Sequence, residues 1–301
     1  MSLLVTGSIG IDTVRTPFGY NKDCIGGSVI HFSMGAGMFT DVKLLGVVGE
    51  DCPFNFKELF EGRNVDLTGL EVRKGSKTFR WSGSYEGDMN SANTEAVELN
   101  VLAENPPKMP ESYQDSEYVF LANTSPSLQM KLLDQLCRPS FVAADTMNLW
   151  ITTAQDDLRQ LLDRIDMLII NEGEAKLLTG HRNLVTAAKV IIEMGPRVVI
   201  IKKGEYGSMM ITAEGDHFLL PAYPAEVVID PTGAGDSFAG GLMGYLAAAG
   251  RVDVISLRNA MVYGTVAASF TIGDFSVYGI RNATRVMIDD RFDQLRKFTQ
   301  F

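Results

Sequence analysis

Short apolar runs alternate with amphipathic stretches along most of the chain. Six of the runs are rich in Val, Ile and Leu and have the length of buried strands: LLVTG, VKLLGVVG, YVFLAN, FVAADT, DMLIIN and RVVIIKKG. Apolar residues recur at helical spacing in residues 127–136, 154–165 and 184–194, and residues 289–298 predict a surface helix. This alternation predicts an α/β fold with a mainly parallel sheet and helices on both faces.

Two segments interrupt the alternation. Residues 15–25 contain Pro17 and Gly19 and show no helix where a βαβ unit needs one. Residues 78–103 are rich in β-forming and turn residues and have no helical period. We expect both segments to form a small β-rich flap on a single domain spanning residues 1–301. The alternative is a pair of surface hairpins without a function.

Composition and charge exclude several functional classes. The formal net charge of −10 argues against a nucleic-acid partner, because phosphate backbones bind basic surfaces. No run of about 18 apolar residues is present, so we expect no membrane span, and the start lacks the features of a signal peptide. Three scattered cysteines without a CxxC pair predict neither a zinc site nor a disulfide framework. We therefore expect a cytoplasmic location.

The stretch DPTGAGDSFAGG places a turn of small residues and one carboxylate before an apolar helix. Backbone N–H groups at a helix N-terminus attract anions, and the small residues Gly233, Ala234 and Gly235 would let a phosphate approach them closely. A carboxylate there, Asp236, can accept the proton of an attacking hydroxyl, so the stretch favours phosphoryl transfer. The alternative is that Asp236 simply caps the helix.

Two common nucleotide-binding patterns are absent from this stretch. No Lys follows the glycine turn, which excludes a Walker A loop, and Phe238 occupies the third glycine position of GxGxxG. GSIG follows the first strand, but RTPFG stands where a dinucleotide-binding fold would begin a helix. We do not expect a dinucleotide cofactor.

Polar residues follow other strand ends, which is where ligands bind in sheets of this kind. An amide and a carboxylate, Asn171 and Glu174, are spaced to hold a hydrated Mg²⁺ or to close a capping box, and both can be true. Gly204 and Gly207 form a turn that could pass beneath a nucleotide or be a plain hairpin. At least one of the two preceding lysines, for example Lys202, is expected to point into the site.

A further set of strand ends is suited to binding hydroxyl groups. Asp12 follows the first strand, and Gly26 and Gly27 open a helix where a small polar ligand can approach the backbone. Asp145 and Asn148 follow another strand and can also bind hydroxyls. The alternatives are that Asp12 caps a turn and that the glycines are tight packing positions.

Taken in order, these motifs resemble those of the ribokinase/PfkB family of carbohydrate kinases, and the resemblance covers nearly the whole chain. The resemblance implies a three-layer αβα fold with a small β-sheet lid made of residues 15–25 and 78–103. It implies that Asp236 deprotonates the acceptor hydroxyl and that the amides of residues 233–235 neutralise charge on the transferred phosphate of ATP. It also implies roles in binding Mg²⁺ and phosphates for Asn171 and Glu174.

The resemblance assigns further residues to the nucleotide and to ions. ATP would lie against the Gly204–Gly207 turn and the helix around Gly264, Thr265 and Ala268, and Lys202 and Thr232 are also expected to bind the nucleotide. Many members of the family bind a monovalent cation near the position of Asp230, so potassium dependence is a further expectation.

The chain departs from the family pattern at the acceptor pocket. His31 stands where the N-terminal signature commonly has Asn, so either it alters the acceptor pocket or it is a packed core histidine. DTMN lacks the basic residue that many sugar-acid kinases have, for which Arg80 or Trp81 of the lid could compensate.

The sequence thus predicts an ATP-dependent kinase acting on a hydroxyl group of a small carbohydrate. A nucleoside kinase is the alternative, because lid aromatics can stack on a base. A protein that only senses a ligand is disfavoured, since Asp236 and the GAG turn are both present. An exposed sheet edge on the lid would allow a homodimer.

Overall fold

The computed structural model describes residues 1–300, which form two sheets and eleven α-helices. In chain order the strands are β1 (Leu3–Thr6), β2 (Gly10–Thr16), β3 (Gly19–Gly26), β4 (Val42–Gly49), β5 (Val65–Arg73), β6 (Phe79–Tyr85), β7 (Ala92–Glu98), β8 (Tyr118–Leu121), β9 (Phe141–Ala144), β10 (Met167–Asn171), β11 (Val198–Lys202), β12 (Ser208–Thr212) and β13 (His217–Leu220). The helices are α1 (Ser28–Ala36), α2 (Phe56–Leu59), α3 (Pro126–Leu133), α4 (Asn148–Thr153), α5 (Gln155–Leu162), α6 (Glu172–Thr179), α7 (Leu184–Glu193), α8 (Ala234–Ala249), α9 (Val254–Thr271), α10 (Tyr278–Arg281) and α11 (Arg285–Phe298).

Nine strands form the large sheet, in the order β13-β12-β11-β10-β9-β8-β1-β4-β5. All neighbouring pairs from β11 to β5 are parallel, and only β12 and β13 at one edge run antiparallel. From β1 the chain extends to one side through β4 and to the other side through β8. Ligands bind in sheets of this type beyond the carboxyl ends of the strands, near such a reversal of strand order.

Helices cover both faces of the large sheet and produce three layers. Alternate residues of β1 pack on opposite sides, with Leu3 and Val5 in one apolar cluster and Leu4 in the other. The first cluster contains residues of α1, α8 and α9, and the second contains residues of α3, α5 and α7. The predicted α/β fold, its six core strands and its four helices are confirmed, with helix ends differing by a few residues.

A second sheet of four strands, in the order β3-β2-β6-β7, contains most of residues 15–25 and 78–103. It consists of two antiparallel hairpins joined by parallel pairing between β2 and β6. Strand β2 begins at Gly10, earlier than the sequence pattern indicated, so Asp12 lies within this small sheet. In the described part of the chain, no helix combines the length and apolarity that a membrane crossing would need.

Candidate active site

The DPTGAGD stretch forms the turn that leads into α8. Gly233 is the N-cap residue of α8, with φ of 74°, and its side-chain-free backbone lies directly against the buried imidazole of His31. A Cβ atom at position 233 would overlap that ring. Asp236 lies in the first turn and is not the N-cap residue, a position taken by Gly233, which has no side chain to cap the helix. The Ala234 N–H donates to the Pro231 carbonyl oxygen at 3.2 Å, so the turn presents the N–H groups of Gly233 and Gly235 near this carboxylate.

Asp236 is half-buried among other charged groups. Burial raises the pKa of its carboxyl to about 6, and the nearby Lys202 ammonium and a backbone N–H group offset part of that rise. A pKa in this range leaves the group ionised near neutral pH while keeping it basic enough to accept a proton.

Lys202 connects two of the predicted motifs. It ends β11 directly across from Asn171 in β10, and its Nζ atom lies 2.6 Å from the position that a Cβ of Gly235 would occupy. No ion pair within 4.0 Å involves Lys202 in residues 1–300. Its half-buried ammonium therefore lies at the N-terminus of α8 without a carboxylate partner.

Asn171 and Glu174 form the capping box that the sequence allowed. Asn171 Oδ1 accepts a hydrogen bond from the Glu174 N–H at 2.8 Å, and Glu174 Oε2 accepts one from the Asn171 N–H at 2.8 Å. Glu174 is buried, and burial raises its pKa despite Lys202 and the Asn171 N–H. The box fixes the Glu174 side chain at the mouth of the site.

Asp145 follows β9 and is also buried in this region. Its Oδ1 atom has no hydrogen-bond partner, and its pKa is well above the ordinary value because of burial and the nearby Asp236 charge. This surplus of carboxylate over ammonium fits a Mg²⁺ ion that arrives with the phosphates, since Mg²⁺ is commonly bound through one or two carboxylates and substrate oxygens. No cluster of three or more acidic, His or Cys ligands exists in the described residues.

Asp12 lies in β2 with its carboxylate against Gly26. A Cβ at Gly26 would overlap the Asp12 carboxylate, and a Cβ at Gly27, where φ is 99°, would lie 2.5 Å from the Ser8 carbonyl oxygen. The two glycines thus permit both the helix entry and the close approach of Asp12. Burial, together with Asp230 and Asp236, raises the pKa of Asp12 to about 7.

Replacing Asp12 with Asn is expected to stabilise the fold at pH 8 and to have little effect at pH 4. Because the folded-state pKa lies above the ordinary 3.8, the folded protein binds more protons than the unfolded chain between these values, and stability falls as the pH rises through about 7. The neutral amide removes that loss. Unfolding temperatures of the two proteins at pH 4 and pH 8 test this, and an equal difference at both pH values would contradict it.

His31 is enclosed beneath the turn, with 1% of its surface exposed. Neither ring nitrogen has a hydrogen-bond partner, and burial lowers its pKa to about 4, so the ring is neutral near pH 7. A core histidine normally satisfies at least one of its nitrogens. The structure therefore places an unpaired imidazole against Gly233, at the position where the sequence departs from the family pattern.

Asp230 stabilises the turn that leads into α8 through hydrogen bonds to two backbone N–H groups. It is fully buried, and its two oxygens accept hydrogen bonds from the Thr232 N–H at 2.9 Å and the Ser276 N–H at 3.0 Å. The Thr232 hydroxyl in turn donates to the hydroxyl oxygen of Tyr85, 3.3 Å away at the end of β6. Tyr85 thus links the small sheet to the turn, and burial raises its pKa to about 12.

Tyr85 was not among the site residues predicted from the sequence. Its signal was the alternation in TFRWSGSY, where every second residue from Phe79 lies on the same face of the strand. Phe79 packs against Gly10, and Trp81 covers Gly83 on that face. The alternation along the strand therefore predicts which residues share one face of the small sheet. It does not predict that Thr232 of the α8 turn would lie against that face.

The hairpin loop between β6 and β7 also reaches the large sheet. Asn90 packs so closely on Gly204, which has φ of 55°, that a Cβ there would overlap its side chain. The Asn90 amide donates to Glu205 Oε1 at 3.2 Å. Gly207, with φ of 83°, has no room for a side chain against the Leu220 carbonyl. The turn predicted to lie beneath a nucleotide is therefore in contact with the small sheet.

Several predicted site residues lie apart from this cluster. Arg80 pairs with Asp23 at 3.1 Å and Asp51 at 3.6 Å, and Asn148 is exposed at the start of α4. Gly264, Thr265 and Ala268 lie in α9, in the part of that helix that packs against α8. Gly264 lies directly against the Phe238 carbonyl oxygen of α8. No side-chain hydrogen bond joins these three residues to Asp236 in the described part of the chain.

Comparison with known proteins shows to which family this chain belongs. The model of the pfkB family carbohydrate kinases matches residues 33–282. The chain belongs to the pfkB family. It is 31% identical to a cytidine kinase of Thermococcus kodakarensis over 252 residues, which covers 81% of this chain and 88% of that protein. As a pfkB-family member it is a kinase that phosphorylates a hydroxyl group of a sugar or nucleoside.

Solved structures show the same ribokinase-like fold. A ribokinase from Cryptococcus neoformans superimposes with a TM-score of 0.78 at 21% identity, covering 96% of this chain and 99% of that one. A nucleoside kinase from Methanocaldococcus jannaschii superimposes with a TM-score of 0.76 at 18% identity, covering 97% and 98%. A further ribokinase-like structure, from E. coli, contains ATP and Mg²⁺.

Proposed function

We propose that this pfkB-family kinase transfers the γ-phosphoryl group of ATP to a hydroxyl group of a ribosyl-type acceptor, with Asp236 as the general base. The observation that carries the proposal is the Asp236 carboxylate, with a pKa of about 6, in the first turn of α8 beside the Gly235 N–H, for which the structure shows no hydrogen-bond partner in residues 1–300. A carboxylate so placed can take the proton of the attacking hydroxyl while the amides face the charge on the phosphoryl group.

The acceptor would bind between the two sheets. Asp12 lies on the small sheet within the electrostatic range of Asp236, and its carboxylate would accept hydrogen bonds from acceptor hydroxyls. Once Asp12 has fixed the acceptor, the reacting hydroxyl faces Asp236 and the turn of residues 233–235. Asp145 and Glu174 would hold Mg²⁺ with the phosphates, and the ion would supply positive charge there.

The small sheet would act as a lid over this site. Tyr85 contacts Thr232 of the turn, and Asn90 contacts Gly204 and Glu205 of the turn that follows β11. These contacts join the small sheet to both the α8 turn and the Gly204–Gly207 turn, and a lid held in this way would exclude water from the reacting groups.

We favour a nucleoside over a free sugar as the acceptor, and the cytidine kinase relative supports this choice. The cytidine kinase relative matches this chain over most of its length, whereas the ribokinase of Mus musculus is 40% identical over 26% of the chain. Trp81 lies on the same face of β6 as Tyr85, where it could stack on a base. The free-sugar acceptor expected from the sequence stays the alternative.

A panel of acceptors with ATP and Mg²⁺ tests the function. We expect phosphorylation of cytidine or another nucleoside at higher kcat/KM than of ribose or fructose, measured as ADP release coupled to product identification by mass spectrometry. Higher kcat/KM on a free sugar would support the alternative. No phosphorylation of any of them would contradict the ribosyl-type acceptor.

Two further features of the sequence analysis remain proposals. A potassium ion would bind near the buried Asp230. Higher activity in potassium salts than in sodium salts would support this site. The exposed edge strand β7 would allow two copies to pair through their small sheets. Size-exclusion chromatography of the protein at micromolar concentration would reveal such a dimer.

A further inference from the structure

Gln129 of α3 is a fully buried glutamine at the carboxyl ends of β8 and β9. Its Nε2 atom donates hydrogen bonds to three backbone carbonyl oxygens: Leu121 at 2.8 Å, Ala122 at 3.2 Å and Asp145 at 3.3 Å. These carbonyls fix the orientation of the amide, because an oxygen in the place of Nε2 would face three other oxygens. Gln129 therefore joins the ends of two neighbouring strands.

The Gln129 amide lies where the pairing of these strands ends. The last paired residues are Leu121 of β8 and Ala144 of β9, and the Asp145 N–H still donates to the Leu121 carbonyl oxygen at 3.2 Å. Asp145 itself lies past the end of β9, and its carbonyl oxygen accepts the hydrogen bond from Gln129. Both polar groups of the Asp145 backbone are thus held, one by β8 and one by Gln129.

The Asp145 side chain, in contrast, is unpaired and lies among the charges of the site. Its Oδ1 atom has no hydrogen-bond partner in residues 1–300. Burial raises its pKa well above the ordinary value, and the charges of Asp236, Lys202 and Glu174 also act on that pKa. A carboxylate with a fixed backbone and an unpaired oxygen is preorganised for a ligand.

A contribution to stability does not by itself explain a glutamine at position 129. Leu132 and Leu133 of the same helix belong to the second apolar cluster. The Oε1 atom of Gln129 is buried and has no hydrogen-bond partner in the described part of the chain, which costs free energy. The favourable contacts of the amide are therefore those with the three carbonyls, one of which belongs to Asp145.

We propose that Gln129 is a positioning residue that holds Asp145 where its carboxylate can bind the Mg²⁺ that arrives with ATP. The proposal rests on the proposed function, in which Asp145 and Glu174 hold that ion. Gln129 does not touch the reactants and acts only by fixing the end of β9 against the end of β8. Because Mg²⁺ demands near-ideal geometry of its ligands, a small shift of the Asp145 carboxylate would weaken its binding.

Replacing Gln129 with Met tests the proposal, because Met has nearly the same length but no donor. We expect the Kd of Mg²⁺·ADP, measured by calorimetry, to rise about tenfold, while the Kd of ADP in EDTA stays within about threefold of the wild type. The kcat at saturating substrates should also fall about tenfold. Leu295→Ala removes a buried leucine of the first apolar cluster, so it is the control for a general loss of stability and should change neither Kd.

A double-mutant cycle with Asp145→Asn tests whether Gln129 acts through Asp145. We expect Asp145→Asn alone to weaken the binding of Mg²⁺·ADP, and Gln129→Met to weaken it no further in that background. Equal losses in both backgrounds would overturn the proposal. So would a Kd of Mg²⁺·ADP for Gln129→Met within about threefold of the wild type. If Gln129→Met does not fold, as judged by circular dichroism, Gln129→Leu replaces it with the same expectations.

The same measurements separate this proposal from the proposed function. An Asp145→Asn variant that binds Mg²⁺·ADP as the wild type does would overturn the role of Asp145 in holding the ion, and with it the role of Gln129. A wild type that phosphorylates none of cytidine, ribose and fructose would contradict the ribosyl-type acceptor. The role of Gln129 would still be supported in that case if the two substitutions were coupled in the Kd of Mg²⁺·ADP.

Discussion

Replacement of Asp236 by Asn is expected to lower kcat by about 10³-fold while Mg²⁺·ATP still binds. The amide has nearly the same shape as the carboxylate, so the turn and its amides should remain in place, but it cannot accept the proton of the acceptor hydroxyl. The residual rate would come from the remaining groups that position and polarise the reactants. Steady-state kinetics on the acceptor found in the panel, with calorimetric ATP binding, measures both effects.

The pH dependence of the wild type should report the same group. The Asp236 pKa is raised to about 6, and only the ionised form can act as a base. The rate of the wild type is therefore expected to fall about tenfold for each pH unit well below 6 and to level off above it. In Asp236→Asn this acid limb should be absent from the residual rate.

Asp253→Asn is the matched control for this change. Asp253 is the N-cap residue of α9, where Asn caps as well as Asp, so this substitution makes the same chemical change at another helix N-terminus outside the site. It should leave kcat and stability nearly unchanged. An Asp236→Asn variant with a kcat close to that of Asp253→Asn would contradict the assignment of the base.

Replacement of Gly233 by Ala is expected to reduce both stability and activity severely. Position 233 has φ of 74°, which costs a residue with a Cβ about 1–2 kcal/mol, and that Cβ would overlap the buried ring of His31. Forcing a methyl group into a filled space costs a further 1–3 kcal/mol or so. The turn must move to relieve the overlap, which would displace the amides and lower kcat by about 10²-fold or more. Thermal unfolding and kinetics measure the two effects.

Gly250→Ala separates the backbone cost from the overlap. Gly250 follows the other end of α8 with φ of 65°, and a Cβ there would meet only the flexible end of Met1, with its Cε at 3.1 Å. It should therefore lose stability through its backbone alone and keep full activity. If Gly233→Ala behaved like Gly250→Ala in both measurements, the packing of His31 beneath the turn would not be a constraint on the site.

His31 illustrates why the site could be predicted only in part. The order of the motifs and the strand ends were visible in the sequence, so the family, the α/β fold and the turn with Asp236 followed from it. The sequence left two alternatives for His31, an altered acceptor pocket or a packed core residue. The structure shows an imidazole that is both enclosed and unpaired, because α1 and α8 pack together and bring residues 31 and 233 into contact.

Arg80 and Tyr85 show that the sequence does not predict which distant residues a strand side chain will contact. Both lie on β6, and sequence reasoning chose Arg80 because a basic residue was missing elsewhere. Successive residues of a strand point to opposite faces, and the partners on each face come from distant segments. Arg80 meets Asp23 and Asp51, whereas Tyr85 meets Thr232. No local pattern distinguishes these two outcomes.

The sequence alone determined the features that depend on neighbours along the chain. Apolar periodicity fixes the strands and helices, and the glycine turn with its carboxylate defines the start of α8, because hydrogen bonds and side-chain spacing within an element are local. Only the tertiary structure decided which polar groups meet. The contact of Lys202 with Gly235, the enclosure of His31 and the burial of Asp12 depend on how distant segments pack. Burial also sets the pKa values of the carboxylates, since it is the packed protein that removes their water.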